Sequence, residues 1–390
     1  MESMLEWKGG HADTYEAVRD IRPERPMEPL IPDYDGACLC NVAPVLLERP
    51  PTMPEWLPPA AAEADQVVLL LLDGLGWDQL QERRHLAPVL SGMDGGPILT
   101  VAPSTTATAL TSFATGAPPG EHGVVGYRVN VHGEVLNILR WQVPSGDART
   151  SIPPGEFQEL SAFLGHRPPV VTKAEFAGTG FTGAHLAGVR HYGWRMPSTL
   201  VTETRRLLTS GESFVYTYYD GIDKVAHEYG LTEYYDAELA AADRLVGDLL
   251  DVLTPGAVLL VTADHGQVQV GDALVAIDDE VMRHVTLLSG EGRFRWLHAR
   301  PGHERDLAHA ARACHGHQAW VRTRQEVVEQ QILGPKLSEA ANSRLGDVMI
   351  AAFEPIAFLD PDDTGPYRLQ ARHGSLTPAE MRIPLVAGRR

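Results

Sequence analysis

QVVLLLLDGLGW, residues 66–77, decides the fold. Six consecutive apolar residues end at Asp73-Gly74. A short unbroken apolar run with a sharp polar exit fits a strand buried on both faces of a parallel sheet. The same grammar recurs in SFVYTYYDG (213–221) and in AVLLVTADHG (257–266). Between those two lies EYYDAELAAADRLVGDLLDVLT (233–254), whose spacing predicts a helix. GWDQLQERRHLAPVLSGM (76–93) also reads as a helix. Strand, helix and strand in alternation imply right-handed crossovers. They predict an α/β fold: a doubly wound, mostly parallel sheet flanked by helices. Ligands of such sheets collect beyond the C-terminal strand ends, where each Asp of these runs falls.

Working outward, residues 22–60 are rich in proline and read as a lead-in wrapped on the core. A strand at RFRWLHARPG (293–302), a helix at ERDLAHAARACHG (304–316) and a strand-helix pair in 317–334 predict a small α+β cap insertion. The chain then returns to a core-like strand, DVMIAAF (347–353). The expected division is therefore a lead-in at 1–65, a core made of 66–280 and 346–390, and a cap at 281–345. A second insertion is expected near 124–200.

Composition narrows the function classes. The 390 residues carry a formal charge of −18, which disfavours a nucleic-acid polymer as partner and leaves room for a small anionic substrate beside bound cations. The three cysteines, Cys38, Cys40 and Cys314, build no sulfur-rich metal cluster, and their low, odd count suits a reducing compartment. The N-terminal stretch lacks the basic start and apolar run of a secretory signal. No run approaches the ~18 apolar residues of a membrane span. A cytoplasmic protein without a membrane partner is the expectation; oligomeric state leaves no mark in the sequence.

Certain residues point to chemistry. Asp73 before Gly is in isolation also a common turn. Asp264-His265-Gly266 places two metal-type ligands after a strand. Asp223 and His227 are four apart, which puts both on one helix face. In PSTTATALTSFATG (103–116) Ser104, Thr105, Thr106 and Thr108 are candidate hydroxyls at a helix start, where a hydroxyl serves either as N-cap or near a bound phosphate. His373, in ARHGSLTP, is a further imidazole.

Taken jointly, these motifs resemble the alkaline phosphatase superfamily, most closely its nucleotide pyrophosphatase/phosphodiesterase branch, over residues 66–386. The resemblance implies an alkaline phosphatase-like core and two divalent metal ions, with Zn2+ suited best by the nitrogen and oxygen donors and Mn2+, Fe or Co2+ as other candidates. It assigns one metal to Asp223, His227 and His373, and the other to Asp73, Asp264, His265 and Thr106. Counting back nine positions from Thr115 in the ATG…P…HG stretch selects Thr106 as nucleophile. Three aspartates and a threonine alkoxide balance two divalent cations. Such pairs lie roughly 3.5–4 Å apart. The implied activity is hydrolysis of a small phosphate ester through a phosphothreonine, as a phosphodiesterase or nucleotide pyrophosphatase. A phosphomonoesterase, a phosphonate hydrolase and a catalytically inactive metal-binding module are the alternatives. The sequence departs from the family pattern at Ala107, Thr108 and Ala109, where Phe-Pro-Asn is usual. It departs again at Tyr127, where an Asn holds a phosphoryl oxygen. Tyr127 or Arg128 is the candidate replacement.

Overall fold

A computed structural model describes residues 28–363 and 369–390. Its main sheet has seven strands: β1 (Gln66–Leu72), β2 (Asp94–Leu99), β3 (Pro169–Lys173), β4 (Arg190–Trp194), β5 (Phe214–Tyr219), β6 (Ala257–Thr262) and, at the far end of the chain, β11 (Arg382–Gly388). Their order across the sheet is β2-β11-β6-β1-β5-β3-β4. β1 pairs in parallel with both β5 and β6, while β11 runs antiparallel to its two neighbours. The three motif-bearing strands are thus the adjacent centre of the sheet. Val67–Leu72 and all of β6 are buried, as strands covered by helices on both faces must be. The expected mostly parallel α/β architecture is the observed one.

Between β6 and β11 four strands build a second sheet: β7 (Val285–Glu291), β8 (Phe294–Ala299), β9 (Ala319–Thr323) and β10 (Val348–Ala352), in the antiparallel order β7-β8-β10-β9. The strand expected to rejoin the core at 346 is β10, in the middle of this cap sheet, so the cap extends beyond 345. A short apolar strand reads alike in either sheet. Its alternation shows the difference only once partners are known: Met349 and Ala351 join the main core, whereas Val348, Ile350 and Ala352 pack with Leu297, Leu307 and Val321 in a second apolar cluster.

Three further expectations are revised. The insertion near 124–200 is smaller, because β3 and β4 belong to the main sheet and only residues 128–147 form a separate antiparallel ribbon. The helix expected over 76–93 is two short ones, Trp77–Glu82 and Pro88–Ser91, broken before a proline that cannot continue a helix. Residues 1–27 of the lead-in lie outside the described residues. The remainder does not simply wrap the surface: Cys38, Leu39 and Cys40, with Val42 and Ala43 of α1 (Val42–Glu48), are buried in the main core.

A buried ion pair joins the cap to the core. Arg293, in the β7–β8 turn, donates from Nε and Nη2 to Glu380 at 2.7 and 2.9 Å, and both side chains are fully buried. Its remaining hydrogens reach the carbonyls of Glu354, Ile356 and Ala352. Removing one partner leaves a buried charge uncompensated. Arg293→Ala is expected to lower the unfolding free energy by about 3–5 kcal/mol, measured by urea denaturation of the metal-loaded protein; a change below about 1 kcal/mol contradicts this role.

Candidate active site

The site is assembled at the C-terminal ends of β5, β1 and β6. The ladder does not stop with the strands. The Asp73 amide donates to Tyr219 O at 2.9 Å, and the Asp223 amide donates to Asp73 O at 3.1 Å. Asp223 lies in the first turn of α3 (Gly221–Tyr229), with His227 one turn on. Gly74 lets the three strand ends meet. It has a left-handed φ of +76°, and a Cβ there would lie 2.8 Å from Gln267 Nε2 and 3.0 Å from Asp223 Cα. Its amide donates to Asp264 Oδ1 at 3.0 Å.

The chain brings every implied metal-site residue to this point. Asp73, Asp264 and His265 form one compact group of ligand atoms, and Asp223, His265 and His373 form another. His265 Nε2 lies 3.5 Å from Asp73 Oδ1 and 3.4 Å from Asp264 Oδ2. Asp223 Oδ1 lies 3.3 Å from His227 Nε2 and 3.8 Å from His373 Nε2. The ring of His373 stacks on that of His265 with centroids 3.5 Å apart.

Thr106 is the first residue of α2 (Thr106–Thr115), and its Oγ1 is 3.1 Å from His265 Nε2. Of the other hydroxyls of that run, Thr105 lines a cavity beside Thr106, and Thr108 Oγ1 is buried with no hydrogen-bond partner. Ser104 donates to Ser375 O at 2.6 Å, while Thr105 occupies the N-cap without a side-chain cap bond. Asp220, in the SFVYTYYDG run, forms ion pairs with Lys173 at 2.7 Å and Lys224 at 2.8 Å.

The hydrogen bonds fix how the imidazoles present themselves. His227, His265 and His373 each place Nδ1 against a backbone carbonyl, of Ala371, Gly266 and Ser104, at 2.8, 3.1 and 2.9 Å. A carbonyl only accepts, so Nδ1 carries the proton. Burial lowers the pKa of His265 and His373, keeping those rings neutral. Their Nε2 lone pairs therefore face carboxylates. Asp73 Oδ1 and Asp264 Oδ2 are buried with no hydrogen-bond partner. Lone pairs opposite orphaned carboxylate oxygens are the donor set of divalent cations, with Nδ1–carbonyl bonds as the outer support such ligands usually have. The residues fit the metals that the motifs imply.

Two residues near the Thr106 hydroxyl left no signal in the sequence. Tyr218, on β5, donates its phenol hydrogen to Asp73 Oδ2. Glu291, at the end of β7, is buried and lines a cavity of about 340 Å³ with Thr106, Tyr127, Arg140 and His373. Thr105 and the Tyr127 amide are near its carboxyl, but neither oxygen has a hydrogen bond of good geometry. Burial pushes its pKa up to about 8. A second cavity, of about 240 Å³, meets Thr106 with Phe176, Phe181, Tyr216 and Tyr218. Of the expected substrate contacts, Tyr127 lines the first cavity and accepts from Asn137 at 2.6 Å. Arg128 lines neither: its guanidinium forms a buried pair with Asp360. That pairing removes it from the substrate-contact set.

The chain matches the type I phosphodiesterase / nucleotide pyrophosphatase family over residues 67–209 and 198–376. Human ectonucleotide pyrophosphatase / phosphodiesterase 5 is similar in structure, with a TM-score of 0.64, 17% identity, and coverage of 83% of this chain and 88% of that one. The murine protein gives 0.62 and 16% over the same shares, and an inactive form of it, with one threonine changed to alanine, is in complex with AMP. Phosphonoacetate hydrolase from Sinorhizobium meliloti 1021, in complex with phosphonoacetate, gives 0.59 and 16% over 84% of this chain and 91% of that chain. No functionally curated protein matches by sequence.

Burial also raises the pKa of Asp73, Asp223 and Asp264 in the metal-free chain. A raised folded-state pKa gives stability that is present below the unfolded value and is lost as pH rises through the folded value. Glu291 carries that window to about 8. The neutral histidines act in the opposite sense below about 6.5, so EDTA-treated protein is expected to lose thermal stability as pH rises from about 6.5 to 8, and saturating Zn2+ is expected to flatten the loss. A midpoint that is flat or rises over this window without metal contradicts the electrostatic picture.

Proposed function

The chain belongs to the type I phosphodiesterase / nucleotide pyrophosphatase family, and on that premise we propose that it cleaves phosphodiesters through a covalent phosphothreonine on Thr106. The observation that carries the diester reading is that Thr106 is a shared wall of two cavities, one polar and one lined by aromatic rings. A monoester has one substituent to house; a diester has two.

Divalent cations held by Asp73, Asp264 and His265 and by Asp223, His227 and His373 supply positive charge for the transferring oxygens and lower the pKa of a bound hydroxyl. We take Zn2+ as the best fit. The protein's own groups do the rest. Thr106 Oγ1 lies 3.1 Å from His265 Nε2, at the Asp73, Asp264 and His265 group, where the cation would hold the hydroxyl. Thr106 Oγ1, its proton given up to solvent water, attacks phosphorus, and the ester oxygen leaves with its pair of electrons and takes a proton from water. Water then cleaves the phosphothreonine. The first-turn amides of α2 have no helical partner and point toward anions, which suits a phosphoryl oxygen. Tyr218 holds Asp73 in place from behind. Tyr127 and Arg140 line the polar cavity and are the substrate contacts of this reading. A reducing, cytoplasmic setting remains part of it and rests on the cysteine count. A small phosphate ester, not a polymer, is the partner.

A phosphonate hydrolase is the second reading, favoured by Arg140, which offers a cation to a substrate's second acid group. Rates on bis(p-nitrophenyl) phosphate, p-nitrophenyl phosphate and phosphonoacetate separate the three. The diester is expected to be fastest by roughly 10-fold or more, a difference of about 1.4 kcal/mol in barrier. Thr106→Ala is expected to keep fold and metal while kcat falls roughly 10³-fold or more. EDTA is expected to abolish turnover and Zn2+ to restore it. Near-normal turnover by Thr106→Ala rejects the nucleophile; faster phosphonoacetate cleavage selects the second reading.

A further inference from the structure

His284 and His303 face each other on the cap, away from the acidic cluster. Their Nδ1 atoms are 2.9 Å apart and their rings are tilted at 43°. His284 immediately precedes β7. His303 is the N-cap of α4 (Glu304–His315), and Asp306 stands in that helix's first turn. One ligand atom from each of the three lies within 4.8 Å of the others. Both histidines are half-buried and Asp306 is exposed. Backbone bonds hold the arrangement: the Arg300 amide donates to His284 O at 2.8 Å, and the His303 amide donates to Arg300 O at 2.9 Å.

A plain histidine–histidine hydrogen bond explains the first contact alone. It does not explain a carboxylate brought to the same point with no lysine or arginine pairing with it among the described residues. Two imidazole nitrogens bonded at about 2.0–2.1 Å to one tetrahedral cation sit about 3.3 Å apart. Opening the observed pair by about 0.4 Å reaches that geometry, a shift within small rotations of half-exposed rings. Two nitrogens and one carboxylate oxygen, with water completing the shell, suit Zn2+ and its neighbours in the first transition row.

We propose that His284, His303 and Asp306 form a cation site of their own, separate from the catalytic pair, that staples the start of β7 to the N-terminus of α4. The far end of β7 is Glu291, at the polar cavity, so the staple anchors the strand that supplies a cavity wall.

The test is zinc content per chain after EDTA stripping, reloading with Zn2+ and dialysis. The His284→Ala/His303→Ala protein is expected to hold one equivalent less than the parent, with diester hydrolysis changed by less than about twofold. Asp264→Ala is expected to keep that equivalent. Asp306→Asn, an exposed single change that preserves folding, is expected to weaken zinc binding at this site roughly 10-fold or more by titration, in line with loss of a charged ligand. Equal zinc content in the double variant, or an unchanged titration for Asp306→Asn, overturns the site. Either result stands whatever the substrate proves to be.

Discussion

Two buried carboxylates and a third, half-buried one share a space of a few ångströms with three imidazoles, and among the described residues no lysine or arginine bonds to them. Desolvation and mutual repulsion work against their ionisation. Much of the surrounding structure answers that constraint. Parallel pairing in the sheet centre brings the strand ends together. Gly74 removes the side chain that would hold them apart. Carbonyls fix the imidazole protons on the outer nitrogens, so every lone pair turns inward. The site is built for positive charge that the polypeptide does not itself provide.

Much of this was legible in the sequence because it was written in short local patterns. QVVLLLLDG, SFVYTYYDG and VLLVTADHG declare buried strands with carboxylates at their ends, and the Asp223–His227 spacing declares one helix face. What was illegible depends on partners distant in the chain. Met349 and Val348 look like any core strand until β8 and β9 are seen beside them. Glu291 sits in a glycine-flanked turn with no motif, and Tyr218 reads as one more aromatic in an apolar strand. Arg128 carries a charge that sequence cannot match to Asp360, 232 positions away.

The cap is more than a cover. Arg293 clasps Glu380, and Glu380 also accepts from the Ser375 amide at 2.9 Å and from the Thr377 hydroxyl. The loop bearing His373 is thus held from the cap side, while Gly374 leaves room for Glu291, whose Cγ would be 2.7 Å from a Cβ there. The wall of the polar cavity and the Asp/His cluster are mechanically continuous. Variation in the cap sheet therefore reaches the chemistry through packing as well as through contact with the ester.

Ser104 and the His373–Ser375 segment hold one another directly. His373 Nδ1 donates to Ser104 O, the Ser104 amide donates to Gly374 O, and the Ser104 hydroxyl donates to Ser375 O. β11, from the last residues of the chain, then slots between β2 and β6. The start of α2 is therefore held by residues 269 to 271 positions further along the chain, and it takes its final place only once that distant segment has folded against it.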